Sequence, residues 1–262
     1  MMEEGRRRFL KAGGLSILGL SALPLLSPLA RGVEPKYQSN PKALKASQWA
    51  MVIDMKKCWE QQKKEPCRAC IEVCHKIHNV PSIPDPKREV KWIWLEEYEH
   101  AFPDQAHEYA PDVLEDKLFL VLCNHCTHPP CVRVCPTKAT FKRSQDGIVM
   151  MDFHRCIGCR YCMAACPFGS RSFNWGDPRP YIKEINPEFP TRTRGVVEKC
   201  DFCAERIDVG KIPACVEACK AKALVFGDLG DPNSEVRRLL ETNFTVRRKN
   251  ELGTGPNIYY IV

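Results

Sequence analysis

The chain has 262 residues, of which 39 are lysine or arginine, 32 are aspartate or glutamate and 21 are proline. Five of the basic and two of the acidic side chains lie in the first 32 residues, so the formal charge of +7 falls to +4 in the remaining 230. Beyond residue 32 no basic block with interleaved aromatic residues occurs, so we expect no nucleic-acid partner. The many prolines predict short elements joined by turns, within a length that suits two small domains.

Residues 1–32 have the pattern of a twin-arginine export signal. Arg6 and Arg7 are followed, after one free position, by Phe-Leu-Lys and then by an uncharged stretch over residues 12–30. The alternative is a membrane anchor, but nineteen residues with two prolines and three glycines make a poor spanning helix. Cleavage at Ala30-Arg31-Gly32 and retention of the segment as an anchor both stay open.

The sixteen cysteines form four runs of four, and every run ends in Cys-x3-Cys. The third run reads Cys-x2-Cys-x2-Cys-x3-Cys-Pro, the pattern of bacterial ferredoxins, in which the fourth cysteine ligates the other [4Fe-4S] cluster of a pair. Sixteen thiolates fill four such clusters with none left over, so we predict four [4Fe-4S] clusters. The runs are Cys58, Cys67, Cys70 and Cys74; Cys123, Cys126, Cys131 and Cys135; Cys156, Cys159, Cys162 and Cys166; and Cys200, Cys203, Cys215 and Cys219.

Three other uses of these cysteines compete with iron-sulfur clusters. An exported chain with an even number of cysteines suits a disulfide framework, but the crowding of the third run argues against it. Zinc sites pair two-cysteine knuckles, whereas the third run has four cysteines within eleven residues. Attachment of c-type haem is excluded because no Cys-x2-Cys is followed by histidine.

Cys58 is the least regular member, because an insert of eight residues, six of them polar or charged, separates it from Cys67. Without it one cluster would lack a ligand, so we count it as a ligand and expect Trp59 to Pro66 to loop outward.

The spacing between runs predicts how they pair. Only twenty residues separate the second and third runs, against 48 and 33 for the other gaps. We therefore predict an α+β fold of two ferredoxin-like lobes, one (residues 119–185) inserted within the other (residues 48–118 and 186–262). By the ligand-exchange rule, four sets follow: set A, Cys58, Cys67, Cys70 and Cys219; set B, Cys200, Cys203, Cys215 and Cys74; set C, Cys123, Cys126, Cys131 and Cys166; and set D, Cys156, Cys159, Cys162 and Cys135.

Several local elements are also predicted. Residues 147–156 alternate as a strand after an Asp-Gly turn, and each Cys-x3-Cys begins a short helix. The pattern of residues 232–241 predicts a helix. Residues 255–262 predict an apolar strand, which either packs within the protein or contacts another subunit. The histidines near cysteines are expected to pack, since cysteines already saturate the clusters. Basic residues beside ligands either raise cluster potentials or are solvated, namely Lys57, Arg68, Arg155, Arg160 and Lys199.

The chain resembles the nested four-cluster iron-sulfur subunits of membrane oxidoreductases. The motifs that carry this resemblance are "CNHCTHPPCVRVCP", "DGIVMMD", "CIGCRYCMAACPFGSRSFNW" and "EKCDFC". Within that family it resembles the DsrO type, which belongs to the DsrMKJOP membrane complex associated with sulfite reduction. Features of that type are "CHKIHNVPSIPDPKREVKWIW", "EHAFPDQAHEY", "FPTRTRGVVEKC" and "GTGPNIYYIV". The wide gap after Cys58 departs from the family's usual Cys-x2-Cys.

The resemblance implies an electron-transfer subunit without a catalytic site of its own, at the outer face of the cytoplasmic membrane or in the periplasm. Implied partners are a quinone-interacting integral membrane subunit, a multihaem cytochrome c, a haem b membrane subunit and a cytoplasmic iron-sulfur subunit. It also implies that the cluster of set D faces the membrane subunit, with residues 168–175 either near that interface or buried. Alternatives are the electron-transfer subunit of a molybdenum oxidoreductase or of a periplasmic hydrogenase. An enzyme is disfavoured, because the sequence has no nucleophile elbow, phosphate loop or Rossmann fingerprint.

Overall fold

Short strands and short helices alternate along the chain in the computed structural model of the protein, which describes residues 40–262 except 108, 110–113, 115 and 116. The mixture of small helices and strands confirms the predicted α+β class. The predicted twin-arginine segment lies outside the described residues. Over the residues that are described, no helix combines the length and apolar character needed to cross a membrane.

The largest sheet joins distant parts of the chain. Strand β1 (Trp49–Asp54) pairs in parallel with β10 (Ile258–Ile261) and antiparallel with β8 (Leu224–Asp228), and β10 also pairs antiparallel with β9 (Thr245–Val246). Five of the six residues of β1 are buried, as expected for an apolar strand covered on both faces. The C-terminal segment is therefore an inner strand of this sheet.

Three smaller sheets have two strands each among the described residues. Strand β2 (Ile93–Glu97) pairs with β3 (Leu118–Leu122), and β4 (Thr140–Lys142) with β5 (Val149–Met151). The third pair is β6 (Ser172–Phe173) with β7 (Val197–Glu198). The strand predicted from residue 147 is confirmed in β5, although it is shorter because residues 152–155 form a turn.

The aromatic core lies beside β2 and β3. The rings of Phe102 and Phe119 meet edge to face with centroids 5.0 Å apart, and Tyr260 from β10 packs against Phe102 at 5.3 Å. Trp92 and Trp94 are also buried. These contacts fix β10 against the β2–β3 pair.

Helix α1 (Met55–Lys64) shows that the expected outward loop from Trp59 to Pro66 is wrong. Asp54 caps the helix by accepting a 3.1 Å hydrogen bond from the backbone N of Lys57, and the following Glu, Gln and Lys residues favour helix. Trp59 packs inward, because its Nε1 donates to the Leu118 carbonyl at 3.0 Å. Only residues 65 and 66 continue outside the helix on the way to Cys67.

The remaining helices are short and begin next to cysteines or turns. The predicted C-terminal helix is confirmed as α8 (Glu235–Thr242), which is capped by Ser234 and buries Val236 against the large sheet. The other α-helices that the structure describes are α2 (Ala69–Ile77), α3 (Tyr98–Ala101), α4 (Pro130–Arg133), α5 (Tyr161–Ala164), α6 (Ala204–Ile207) and α7 (Ala214–Glu217). Turns of 3-10 helix occupy Pro86–Arg88, Arg179–Tyr181 and Asn250–Leu252.

Candidate metal centres

Set A converges on one small cavity. Helix α1 contributes Cys58, α2 contributes Cys70, and Cys67 and Cys219 lie just outside helices. Apolar side chains close the cavity, so burial, together with the neighbouring thiols, raises the pKa of Cys58 to about 11. Burial acts in the same direction on the pKa of Cys70. Such thiols become good metal ligands when a bound cation offsets the cost of losing their protons.

Set B is the most deeply buried. Burial raises the pKa of Cys74 well above its usual range, and Cys200, Cys203 and Cys215 act on it in the same sense. The backbone N of Ala214, the first residue of α7, lies 3.4 Å from Cys203 Sγ and donates to it. Four thiols from two distant parts of the chain thus share one buried space.

Set C lines a second cavity with three prolines and Phe168. Burial raises the pKa of Cys126 to about 12, and the thiols of Cys123, Cys131 and Cys166 add to this effect. Cys131 lies in the first turn of α4, whereas Cys166 follows α5, so this set also combines two runs.

Set D lines a third cavity near the surface. Burial acts to raise the pKa of Cys135, but hydrogen bonds from the backbone of Thr140, Thr137 and Ala139 outweigh it and lower the pKa. Convergent N–H groups of this kind stabilise a thiolate. The other members, Cys156, Cys159 and Cys162, come from the third run.

The structure therefore brings together the same four groups that the ligand-exchange rule predicts. All sixteen cysteines are free thiols, which disagrees with the disulfide alternative. Four thiols around one small space also fit the donor set of a [4Fe-4S] cluster. That these thiols ligate iron in these sets stays a prediction.

The sets are successive neighbours. A thiol of one set is close enough to a thiol of the next to raise its pKa: Cys215 acts on Cys70 between A and B, and Cys123 acts on Cys200 between B and C. Between C and D, Cys131 acts on Cys162. The order along the molecule is consequently A, B, C, D.

Left-handed turns shape the Cys-x2-Cys loops that open the second, third and fourth runs. The residue before the second cysteine has a positive φ in each: 41° at His125, 71° at Gly158 and 59° at Phe202. At Gly158 a Cβ would lie 2.4 Å from the Gly195 carbonyl oxygen, so this turn requires glycine. The first run opens instead with Cys58 in α1.

The histidines near cysteines have packing partners where they are buried. The His78 ring stacks on Trp92 at 4.7 Å and its Nε2 lies 3.0 Å from Glu205 Oε1. His125 stacks on Phe202 at 3.8 Å, and the Val149 backbone N donates to its Nδ1 at 3.1 Å. These contacts agree with the expected packing role. His75 is partly buried, and His128 and His154 are exposed.

The basic residues beside ligands divide into two classes. Lys57 and Arg155 have side chains that are 53% and 66% exposed and form ion pairs with nearby aspartates. Arg68 and Arg160 are also exposed, and Arg160 lies over the Trp175 ring at 4.7 Å. Lys199 is buried and donates to the Cys200 carbonyl at 2.6 Å, so it is not a solvated surface charge.

Sequence reasoning missed Arg171. It is 5% exposed, and one of its terminal nitrogens donates to Cys131 Sγ at 3.0 Å and to Thr140 Oγ1 at 2.8 Å. It stands five residues beyond Cys166, in the segment predicted to lie near an interface or to be buried, and no spacing rule identifies it.

Comparison with known proteins identifies the family. The family described as 4Fe-4S dicluster domain matches residues 115–179 and 180–229. "Hdr-like menaquinol oxidoreductase iron-sulfur subunit 1" of Archaeoglobus fulgidus is 41% identical over 97% of both chains. The chain belongs to the family of iron-sulfur subunits of membrane-associated quinol oxidoreductases. It is a [4Fe-4S] electron-transfer subunit.

Two further relatives support this assignment. "Menaquinone reductase, iron-sulfur cluster-binding subunit" of Nitratidesulfovibrio vulgaris is 36% identical over 81% of this chain and 88% of its own. "Protein NrfC" of Escherichia coli is 38% identical over 74% of each chain. As members of this family serve membrane complexes, a membrane partner that interacts with quinone is implied.

Proposed function

We propose that the chain carries four [4Fe-4S] clusters, one on each thiol set, and conducts electrons between a quinone-interacting integral membrane subunit and a second redox partner. The observation that carries this proposal is the unbroken order of sets A, B, C and D as neighbours. When bound, the clusters supply one-electron redox chemistry. The residues of the chain hold them at fixed spacing and keep water away, since sets B and C are largely buried.

The nested arrangement of two lobes is part of the same proposal. Sets A and B each combine the first and fourth runs, and sets C and D combine the second and third. The large sheet supports it, because β1, β8 and β10 bring residues before and after the inserted region together. The β4–β5 pair lies wholly inside residues 119–185.

The physiological assignment we propose is a DsrO-type subunit linked to sulfite metabolism. Its partners would include a multihaem cytochrome c, a haem b membrane subunit and a cytoplasmic iron-sulfur subunit. The identity to the Hdr-like menaquinol oxidoreductase subunit over nearly the whole chain supports a quinone-linked complex of this kind. A second candidate is the electron-transfer subunit of a molybdenum oxidoreductase. It is favoured by the similarity to a selenate reductase subunit of Mesobacillus selenatarsenatis, which is 38% identical over 84% of this chain.

The membrane-facing end we propose is the one that holds set D. Exposed apolar side chains lie beside the cysteines of this set in sequence, in β4, or against Arg160, and such a group is typical of an interface. They are Val134, Phe141, Ile157, Tyr161 and Trp175. Five of residues 168–175 are buried, and Trp175 is the exposed aromatic residue of that segment. The proposed interface therefore includes Trp175 but not the whole segment.

Purification of the intact membrane complex tests both the function and its orientation. A photo-crosslinking residue at Tyr161 should capture the integral membrane subunit, whereas the same residue at Glu60 in α1, beside set A, should not. Subunit identification in the same sample separates a cytochrome-containing complex from one with a molybdenum subunit. Capture of the membrane subunit from position 60 alone would reverse the orientation. Purification of the chain without any quinone-reactive partner would contradict the function.

We also propose that the protein acts at the outer face of the cytoplasmic membrane or in the periplasm. Changing Arg6 and Arg7 together to Lys should leave folded, cluster-loaded protein in the cytoplasm, because the twin-arginine route exports proteins after folding. Fractionation and immunoblotting of the variant measure this, and a Lys11→Arg variant serves as a control that keeps both arginines. Normal export of the double variant would exclude the twin-arginine route.

A further inference from the structure

Arg171 is a buried cation placed at the boundary of two thiol sets. Its guanidinium contacts Cys131 of set C directly, at 3.0 Å from Sγ. The thiols that act on the guanidinium include Cys162 of set D as well as Cys131, Cys123 and Cys166 of set C. Arg171 is only 5% exposed, so water and salt screen its charge much less than they screen a charge on the surface.

The surroundings hold this guanidinium in place. The same nitrogen that contacts Cys131 donates to Thr140 Oγ1 at 2.8 Å, and Thr140 Oγ1 in turn donates to the Met150 carbonyl at 2.9 Å. The other terminal nitrogen lies 3.8 Å from Met151 Sδ. Strands β4 and β5 thus orient Arg171 toward set C, and none of the ion pairs found among the described residues joins it to a carboxylate.

The charge state of Arg171 is secure. Arginine is not deprotonated in folded proteins, so the positive charge persists at all pH values at which the protein is folded. A permanent positive charge that donates a hydrogen bond to a ligand sulfur stabilises the more negative, reduced state of a cluster.

We propose that Arg171 raises the reduction potential of the cluster held by set C, through its charge and its hydrogen bond to Cys131 Sγ. Arg171 is a positioning and tuning residue, because it acts on the cluster through a ligand. This inference rests on the proposed function and deepens it, since it names a residue that sets the potential of one cluster on the path between sets B and D. Lys199, also buried, lies near Cys200 of set B and adds a second cation in this region.

The test is a redox titration of the complete complex, followed by EPR, in wild type and in Arg171→Gln. At a fixed poise, the ratio of oxidised to reduced cluster should rise about tenfold for one cluster, which is about 59 mV for a one-electron couple. The Arg171→Lys variant should show a smaller shift, because it keeps the charge. Arg155→Gln is the matched control: it adjoins Cys156 but is exposed and paired with Asp152. It should shift no potential.

Iron content separates the possible outcomes. Unchanged potentials in an Arg171→Gln variant that retains its iron would overturn the proposal. If that variant loses iron, wild-type protein labelled with guanidinium ¹⁵N decides: a ¹⁵N coupling to a reduced cluster in pulsed EPR supports the hydrogen bond, and its absence overturns it. Fewer than four clusters in wild type would contradict the proposed function. The effect of Arg171→Gln on the reduction potential of the cluster of set C would still test the role of Arg171.

Discussion

Replacing Cys58 with Ala should damage one cluster and leave the other three intact. The iron content should fall from about sixteen atoms per chain to about fifteen if the cluster loses one iron, or to about twelve if it is lost. The reason is geometric: α1 carries Cys58 into the cavity that Cys67, Cys70 and Cys219 also line, and the other twelve cysteines belong to the other three sets. Iron analysis and reduced-state EPR of the purified protein measure the change.

Glu60→Ala is the matched control, because Glu60 is an exposed residue of the same helix. That variant should keep all of its iron and the wild-type spectrum. Sixteen irons and an unchanged EPR spectrum in Cys58→Ala would remove Cys58 from the ligand set. The cavity of set A would then hold a cluster with three cysteine ligands.

The groups of thiols could be predicted from sequence because the ligand-exchange rule depends only on spacing. A Cys-x2-Cys-x2-Cys-x3-Cys run is short, so its local geometry leaves the fourth cysteine out of reach of the first cluster and aimed at the next. The structure brings Cys74 to Cys200 and Cys135 to Cys156 on this pattern. The strand near residue 149 and the helix near residue 236 were also predictable, since hydrophobic periodicity is a local signal.

Two features were not predicted, for different reasons. The polar stretch after Cys58 was interpreted as a loop, although Asp54 at the N-cap and the Glu, Gln and Lys residues are local signals of a helix. The inward packing of Trp59, by contrast, depends on Leu118. The Leu118 contact is 59 residues away and leaves no local trace. Burial of charged residues is equally invisible, because Arg171 and Arg192 are fixed by partners far along the chain. Nothing next to either arginine distinguishes it from a solvated one.

Arg192 and Glu198 form a buried ion pair whose disruption should be strongly destabilising. The Arg192 terminal nitrogen lies 2.6 Å from Glu198 Oε2, and both side chains are fully buried. Glu198 also accepts from Trp92 Nε1 at 2.8 Å. Removing one partner leaves an uncompensated buried charge, so Arg192→Met should reduce the free energy of unfolding by about 3–5 kcal/mol. Denaturant unfolding followed by tryptophan fluorescence and cluster absorbance measures it.

Two variants make this prediction specific. Adding Glu198→Gln to Arg192→Met should recover part of the lost stability, because it removes the uncompensated charge. Arg179→Met breaks an exposed ion pair with Asp177 and should leave the unfolding midpoint unchanged. Equal unfolding midpoints for Arg192→Met and Arg179→Met would show that the buried pair contributes nothing.

The loss of Arg192 should also reach set B. Its guanidinium donates to the carbonyls of His78 and Asn79 at 2.5 and 2.8 Å, directly after the helix that carries Cys74. Without these hydrogen bonds the C-terminal end of α2 is held less firmly, and the position of Cys74 on that helix is less well fixed. Cluster absorbance should therefore decay at a lower denaturant concentration than tryptophan fluorescence changes in Arg192→Met, whereas the two signals should coincide in wild type. Coincident transitions in the variant would show that α2 holds Cys74 without this anchor.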